Sequence, residues 1–203
     1  MTGVHAPEQA YGQLLEQTRA LVASEPALCA FVGDALEGLD LRPTAPRSLP
    51  VIPQITACTA RTTALTAPLT ETIRAVAPML HWKQSYTEAQ VGAHHLANYG
   101  WFNLVSPEGP YVNADMRVSV GYWAQGLIYP GHRHLPEEIY CVLAGGGRFE
   151  TEGRAPVEAG PGTLVHHPSN ILHGMDLHSE PLLAMAFWTG EALLRVSDLE
   201  STA

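Results

Sequence analysis

The stretch GLIYPGHRHLPEEIYCVLAG, residues 126–145, decides the fold. It crowds three potential metal ligands, His132, His134 and Glu138, into seven residues. Residues two apart in an extended strand point to the same face, so His132 and His134 present both imidazoles to one side. A turn at Leu135–Pro136 can bring Glu138, on the following strand, back to the same centre. Tyr140 then shares the face of Glu138. Neutral imidazole plus carboxylate suits Zn, Fe, Mn, Co or Ni, and not a calcium cage of oxygens.

Working outward, a fourth ligand has to come from a distant strand, and GTLVHHPSNILHG at 162–174 supplies candidates. His173 follows a turn at Pro168–Asn170 and precedes a glycine. Three imidazoles and one carboxylate leave up to two positions of a six-coordinate ion open to substrate or water. The adjacent pairs His94–His95 and His166–His167 would point to opposite faces in a strand, so at most one of each reaches the centre. His5 and His178 read as solvent-facing.

The spacing is more specific than the individual residues. Gly126 is followed after five residues by His132, then by His134, then after three by Glu138 and after six by Gly145. In the second segment Gly162 is followed after five residues by Pro168, then by Asn170 and after two more by His173. This resembles both signature motifs of the cupin superfamily at nearly every fixed position. Asn170 stands where the second motif has glycine, but asparagine tolerates positive φ better than most residues. Leu177 stands where cupins often show asparagine. The resemblance implies a mainly β architecture, the cupin double-stranded β-helix or jelly-roll barrel, with one divalent transition metal, Fe, Zn or Mn, on His132, His134, Glu138 and His173.

The rest of the chain has two textures. Residues 8–39 read as two helices with Leu14, Leu15, Thr18, Leu21 and Val22 at helical spacing and Pro26 opening the second. The four prolines of 40–53 suggest a linker or extended arm. Residues 65–82 are helical again, with Leu69, Ile73, Val76, Met79 and Leu80 on one stripe, and 55–65 is ambiguous. From about residue 97 short runs such as MRVSVGYWA, EEIYCVLAG, GRFET, GTLVHHP and LLAMAFW alternate with turn residues, as in a barrel. The expected division is therefore a helical and extended region, 1–96, packing on a barrel, 97–203.

Bulk composition narrows the partners. The 203 residues carry 11 Lys and Arg against 20 Asp and Glu, a net charge of −9, with no basic run. Nucleic acid and anionic membrane are poor partners for such a chain. No apolar run approaches a membrane span, the N-terminus lacks a signal-peptide core, and Cys29, Cys58 and Cys141 are scattered without a CxxC. These features fit a cytoplasmic protein with free thiols.

A narrower resemblance follows from the residues around the ligands. Tyr129 to Gly145, Pro168 to His173 and PLLAMAFWTG at 181–190 resemble the dimethylsulfoniopropionate (DMSP) lyase family of cupins, over about a third of the chain. The N-terminal half is similar to that family only in layout and in HWKQSY at 81–86. The resemblance implies a lyase for a small zwitterionic sulfonium carboxylate, acting by β-elimination to dimethyl sulfide and acrylate. It implies Tyr140 as the base and Tyr129 as a second catalytic tyrosine. Aromatic faces bind sulfonium cations at roughly 0.5–2 kcal/mol each. Tyr122 and Trp188 are expected to line the pocket, with Trp82 or Tyr86 closing it from a helical half that acts as a lid. A homodimer through sheet edges is common among cupins, and no patch in the sequence decides it. Three other readings stay open: a lyase-like cupin on another carboxylate, an iron dioxygenase, and a non-catalytic metal-dependent binder.

Overall fold

A computed structural model describes residues 7–42 and 44–200; His5 lies outside them. Five α-helices come first: α1 Pro7–Ser24, α2 Pro26–Val32, α3 Ile52–Ala57, α4 Ala67–Val76 and α5 Glu88–Ala97. Eleven strands follow: β1 Tyr99–Ser106, β2 Tyr111–Val112, β3 Met116–Trp123, β4 Ile128–Arg133, β5 Glu137–Gly145, β6 Gly147–Thr151, β7 Val157–Ala159, β8 Leu164–His167, β9 His173–Asp176, β10 Leu182–Thr189 and β11 Asp198–Leu199. They form a six-stranded sheet, β2-β1-β3-β10-β5-β8, and a five-stranded sheet, β11-β4-β9-β6-β7. All pairings except β1 with β2 are antiparallel. The result is the expected jelly-roll barrel with helices ahead of it.

The larger sheet is buried on both faces, which is why its strands read as near-continuous apolar runs. On its outer face Val118, Val120, Tyr122, Cys141, Leu143, Leu183, Met185 and Phe187 join one core with Leu14, Leu21, Ile55 and Ile73 of the helices. On its inner face Trp123, Tyr140, Val142, Ala184, Ala186 and Trp188 join a second core with Tyr129, Phe149 and Met175 of the smaller sheet. Strand alternation makes this division.

Several details differ from the sequence reading. Residues 52–57, split between the expected arm and the ambiguous stretch, form α3, with Ile52 and Ile55 buried under the sheet. His94 and His95 lie in the last turn of α5, not in a strand. The Asn170 turn forms as expected, with φ of 60°. Its N–H donates to the His134 carbonyl at 2.8 Å, which ties the second motif to the first. Gly145 has φ of 68°, and a Cβ there would meet the Pro181 carbonyl oxygen at 1.8 Å, so only glycine fits.

Candidate metal centre

Four side chains converge at the inner end of the barrel. His132 (β4) and His173 (β9) are Cα partners across the smaller sheet, and their rings lie 4.2 Å apart. His134 and Glu138 flank the turn into β5, and both are buried. The donor atoms of His132, His134 and His173 all lie within 4.8 Å of one another. Glu138 Oε2 is 3.3 Å from His134 Nε2 and 3.3 Å from His173 Nε2.

The orientation of the rings is set locally. The Nδ1 atoms of His132, His134 and His173 each sit 2.9 Å from a backbone carbonyl, those of Pro130, Pro136 and Ile171. A carbonyl only accepts, so each Nδ1 carries the hydrogen and each Nε2 faces the centre. This is how metal-binding histidines are held. The His173 Nε2 has no aligned hydrogen bond despite its burial: Glu138 is near it but off axis. Burial, with His173 beside it, brings the His132 imidazole down to about 3, so its Nε2 bears a lone pair. Burial works against an ionised Glu138, yet His134 and His173 hold its carboxyl well below the usual range. The Trp188 indole N–H donates to the other carboxylate oxygen, Oε1. Buried lone pairs facing a carboxylate are costly without a cation between them. Donors about 2.0–2.2 Å from a metal lie roughly 3.0–3.5 Å from each other, and the 3.3 Å separations match. The residues fit a divalent transition metal.

A pocket opens beside this cluster. Its walls include Tyr99, Arg117, Trp123, Tyr129, Tyr140 and Trp188. Arg117, Trp188, Glu138 and His167 form one row of Cα partners across β3, β10, β5 and β8. The Arg117 guanidinium lies 4.5 Å over the Trp101 ring and 4.4 Å over the Trp188 ring. It donates to Asn103 Oδ1 at 3.1 Å and to the Leu193 carbonyl at 3.2 Å. His134 stacks on Trp188 at 4.0 Å. Trp188 lines this pocket with its ring already engaged by Arg117 and His134.

Tyr129 and Tyr140 both lie at the pocket and are buried. The Tyr86 hydroxyl is 3.3 Å from that of Tyr129, so Tyr86 stands behind the pocket wall. Burial raises both site tyrosines well above 10, and Glu138 adds to this at Tyr140. Two expected pocket residues fall elsewhere. Tyr122 points into the helix-side core, because the odd-numbered residues of β3 face the barrel; Trp123 takes the expected place. Trp82 is wholly buried in that same outer core, edge-on to Phe102 at 5.0 Å, with its indole N–H on the Ala77 carbonyl. Helices α1 to α4 back the outer face of the sheet instead of closing the pocket, α5 packs by Val91 and His95 behind Tyr99 and Tyr129, and Ser85 and residues 194–197 complete the pocket lining.

Tyr99, Trp101 and Arg117 were not singled out in the sequence; Trp123 was one of the available aromatics but not the favoured one, and His167 was weighed only as one of an adjacent pair. Arg117, Ser119 and Trp123 share a β3 face, and that polar spacing was the available signal. Of the adjacent histidines, His166 is exposed and bonded to Glu137 at 2.6 Å, and His178 is exposed. His95 packs on Tyr99 and Tyr129.

Barrel, paired motifs and converging imidazoles define a cupin with a candidate metal centre. Comparison with known proteins narrows this. The family model for dimethylsulfoniopropionate lyase matches residues 35–184. The dimethylsulfoniopropionate lyase DddQ of Ruegeria pomeroyi is 32% identical over 184 residues, 91% of either chain. Its crystal structure superimposes with a TM-score of 0.88 at 32% identity, covering 94% of this chain and 95% of that one. A chain from the crystal structures of the DMSP lyases RdDddP and RnDddQII gives 0.93 at 34% identity, covering 97% of this chain and all of that one. The chain belongs to the dimethylsulfoniopropionate lyase family. Among the described residues no helix is long and apolar enough to cross a membrane.

Proposed function

We propose that this chain is a metal-dependent DMSP lyase, with His132, His134, Glu138 and His173 holding one divalent ion. The observation that carries the reading is the convergence of three oriented Nε2 atoms and a buried carboxylate beside two buried tyrosines in one pocket.

The reaction removes a proton α to the substrate carboxylate and expels dimethyl sulfide from the β carbon. A divalent ion at the four ligands would neutralise the substrate carboxylate, stabilise charge developing on it, and favour the phenolate of a neighbouring tyrosine. Tyr140 Oη takes the proton. The C–H pair becomes the new double bond, and the C–S pair leaves on sulfur, giving neutral dimethyl sulfide and acrylate. Burial and the neighbouring Glu138 carboxylate raise the Tyr140 phenol well above its usual range, and a bound divalent ion would oppose that shift. Tyr129, backed by Tyr86, positions the substrate. Tyr99, Trp123 and Tyr129 supply aromatic surface for the sulfonium. Trp188 holds Glu138 and His134 in place. Ser85 and residues 194–197 line the rest of the pocket.

The test is a headspace assay of the chain with DMSP under anaerobic conditions, with Fe(II), Mn(II) or Zn(II) added in turn. Release of dimethyl sulfide with at least one metal, matched by acrylate, supports the reading. An absence of release with every metal turns it down and favours a related carboxylate, found by assaying a panel of β-substituted propionates. A requirement for O₂ favours the dioxygenase reading.

A further inference from the structure

Arg117 puts a cation into the pocket wall, where it is only 9% exposed. Among the described residues no carboxylate lies within ion-pair distance of it. Its position is fixed from several sides. Nε donates to Asn103 Oδ1, Nη1 donates to the Leu193 carbonyl, and the Trp101 and Trp188 rings pack on the guanidinium. The remaining nitrogen, Nη2, has no hydrogen-bond partner among the described residues and is not occluded, so it opens on the pocket. Register sets what it faces. Arg117, Trp188 and Glu138 are Cα partners in one row, and Ser119, Ala186 and Tyr140 form the neighbouring row on the same inner face. Ser119 and Ala186 are small, which leaves open the space bounded by Arg117, Glu138 and Tyr140.

A buried charge without a partner is costly. A guanidinium held rigid with a free N–H turned to a pocket is arranged to receive an anion. We propose that Arg117 is a substrate-binding residue for the carboxylate: its Nη2 donates to one carboxylate oxygen while the other oxygen meets the divalent ion. This rests on the metal-dependent lyase reading above. As Tyr140 takes the α proton, the electron pair left on the α carbon spreads onto both carboxylate oxygens. It then closes the double bond, and the C–S pair leaves on sulfur. A cation at one oxygen meets only part of that charge, and Arg117 meets the rest with a donor already in place. Held at both oxygens, the carboxylate keeps one orientation, with the α carbon toward Tyr140.

The test uses the full-length chain loaded with Co(II) and propionate as the probe, a carboxylate without a leaving group. Binding is followed by the visible ligand-field bands, beside that of imidazole, a neutral ligand for the same ion. Arg117→Gln is expected to bind propionate about 10–100-fold more weakly and imidazole as the unmutated protein does. Its kcat for DMSP at full metal occupancy should fall about 10²–10³-fold. Arg117→Lys keeps the charge without the planar fork and should recover part of both losses. Without any variant, propionate added to the Zn(II)-loaded chain should shift the Arg117 guanidinium resonances in nitrogen-resolved NMR. Unmoved resonances at saturating propionate, or unchanged propionate affinity in Arg117→Gln, overturn the proposal and leave the metal-centre reading standing. An equal loss of propionate and imidazole binding shows a general disturbance of the centre and also contradicts it. Failure of the unmutated chain to bind Co(II) overturns both.

Discussion

Tyr140 and Trp188 do different work at one carboxylate. Tyr140→Phe is expected to keep the metal and lower kcat by about 10²–10⁴-fold, the range of a general base. Metal analysis alongside turnover checks this, and normal turnover removes Tyr140 from the mechanism. Trp188→Phe keeps a ring between Arg117 and His134 but removes the indole donor to Glu138. Metal affinity should fall about 10–100-fold, read by competition with a chelator. His95 carries a pH prediction. Burial, with His94 beside it, brings its imidazole down from 6.5 to about 4. Tyr99 and Tyr129 are its other titratable neighbours. Between those two values the unfolded chain binds the proton and the folded chain does not, so stability falls as pH drops through that window. Melting curves of the metal-free protein should show this, and His95→Phe should reduce the slope. An equal slope in the variant assigns the effect to other histidines.

At the scale of elements, the Asn170 turn couples the two segments that carry the candidate ligands. Replacing Asn170 by Val puts a β-branched residue at positive φ, costing roughly 1–2 kcal/mol, whereas Asn170→Gly should be neutral or better. Chemical denaturation measures both, and equal stability of Val and Gly variants contradicts the turn's role. Element type was largely legible here. β5 and β6 fall where EEIYCVLAG and GRFET placed them, because short runs bounded by turn residues have few alternatives. Which face of a strand meets the pocket was harder. Every residue of β3 is buried, so alternation gave no sign of inside and outside, and Tyr122 was favoured over Trp123. Only the polar Arg117 and Ser119, placed opposite the helix-side core, mark the inner face. α5 was obscured by Gly92, whose φ of 82° kinks it, and by a histidine pair that suits either element.

Over the whole molecule, one sheet separates a structural core from a chemical one. The resemblance to cupins supplied the metal residues through fixed spacings, but nothing local could say where a distant aromatic packs. Trp82 shows the difference. Trp82→Ala is expected to cost about 3–5 kcal/mol of stability through the outer core. Trp123→Phe, which keeps a ring in the inner core, should leave melting closer to wild type and raise KM for the sulfonium substrate several-fold. Thermal melting paired with steady-state kinetics separates them; a raised KM from Trp82→Ala without lost stability contradicts the two-sided arrangement. The proposed function rests on one ion shared between two segments of chain. Anomalous diffraction from crystals grown with Fe(II), Mn(II) or Zn(II), collected at the metal's absorption edge, tests that most directly. The account requires a single strong peak within bonding distance of His132, His134 and His173 Nε2 and of the Glu138 carboxylate. Anomalous maps without a peak there, from metal-supplemented crystals of active protein, contradict it.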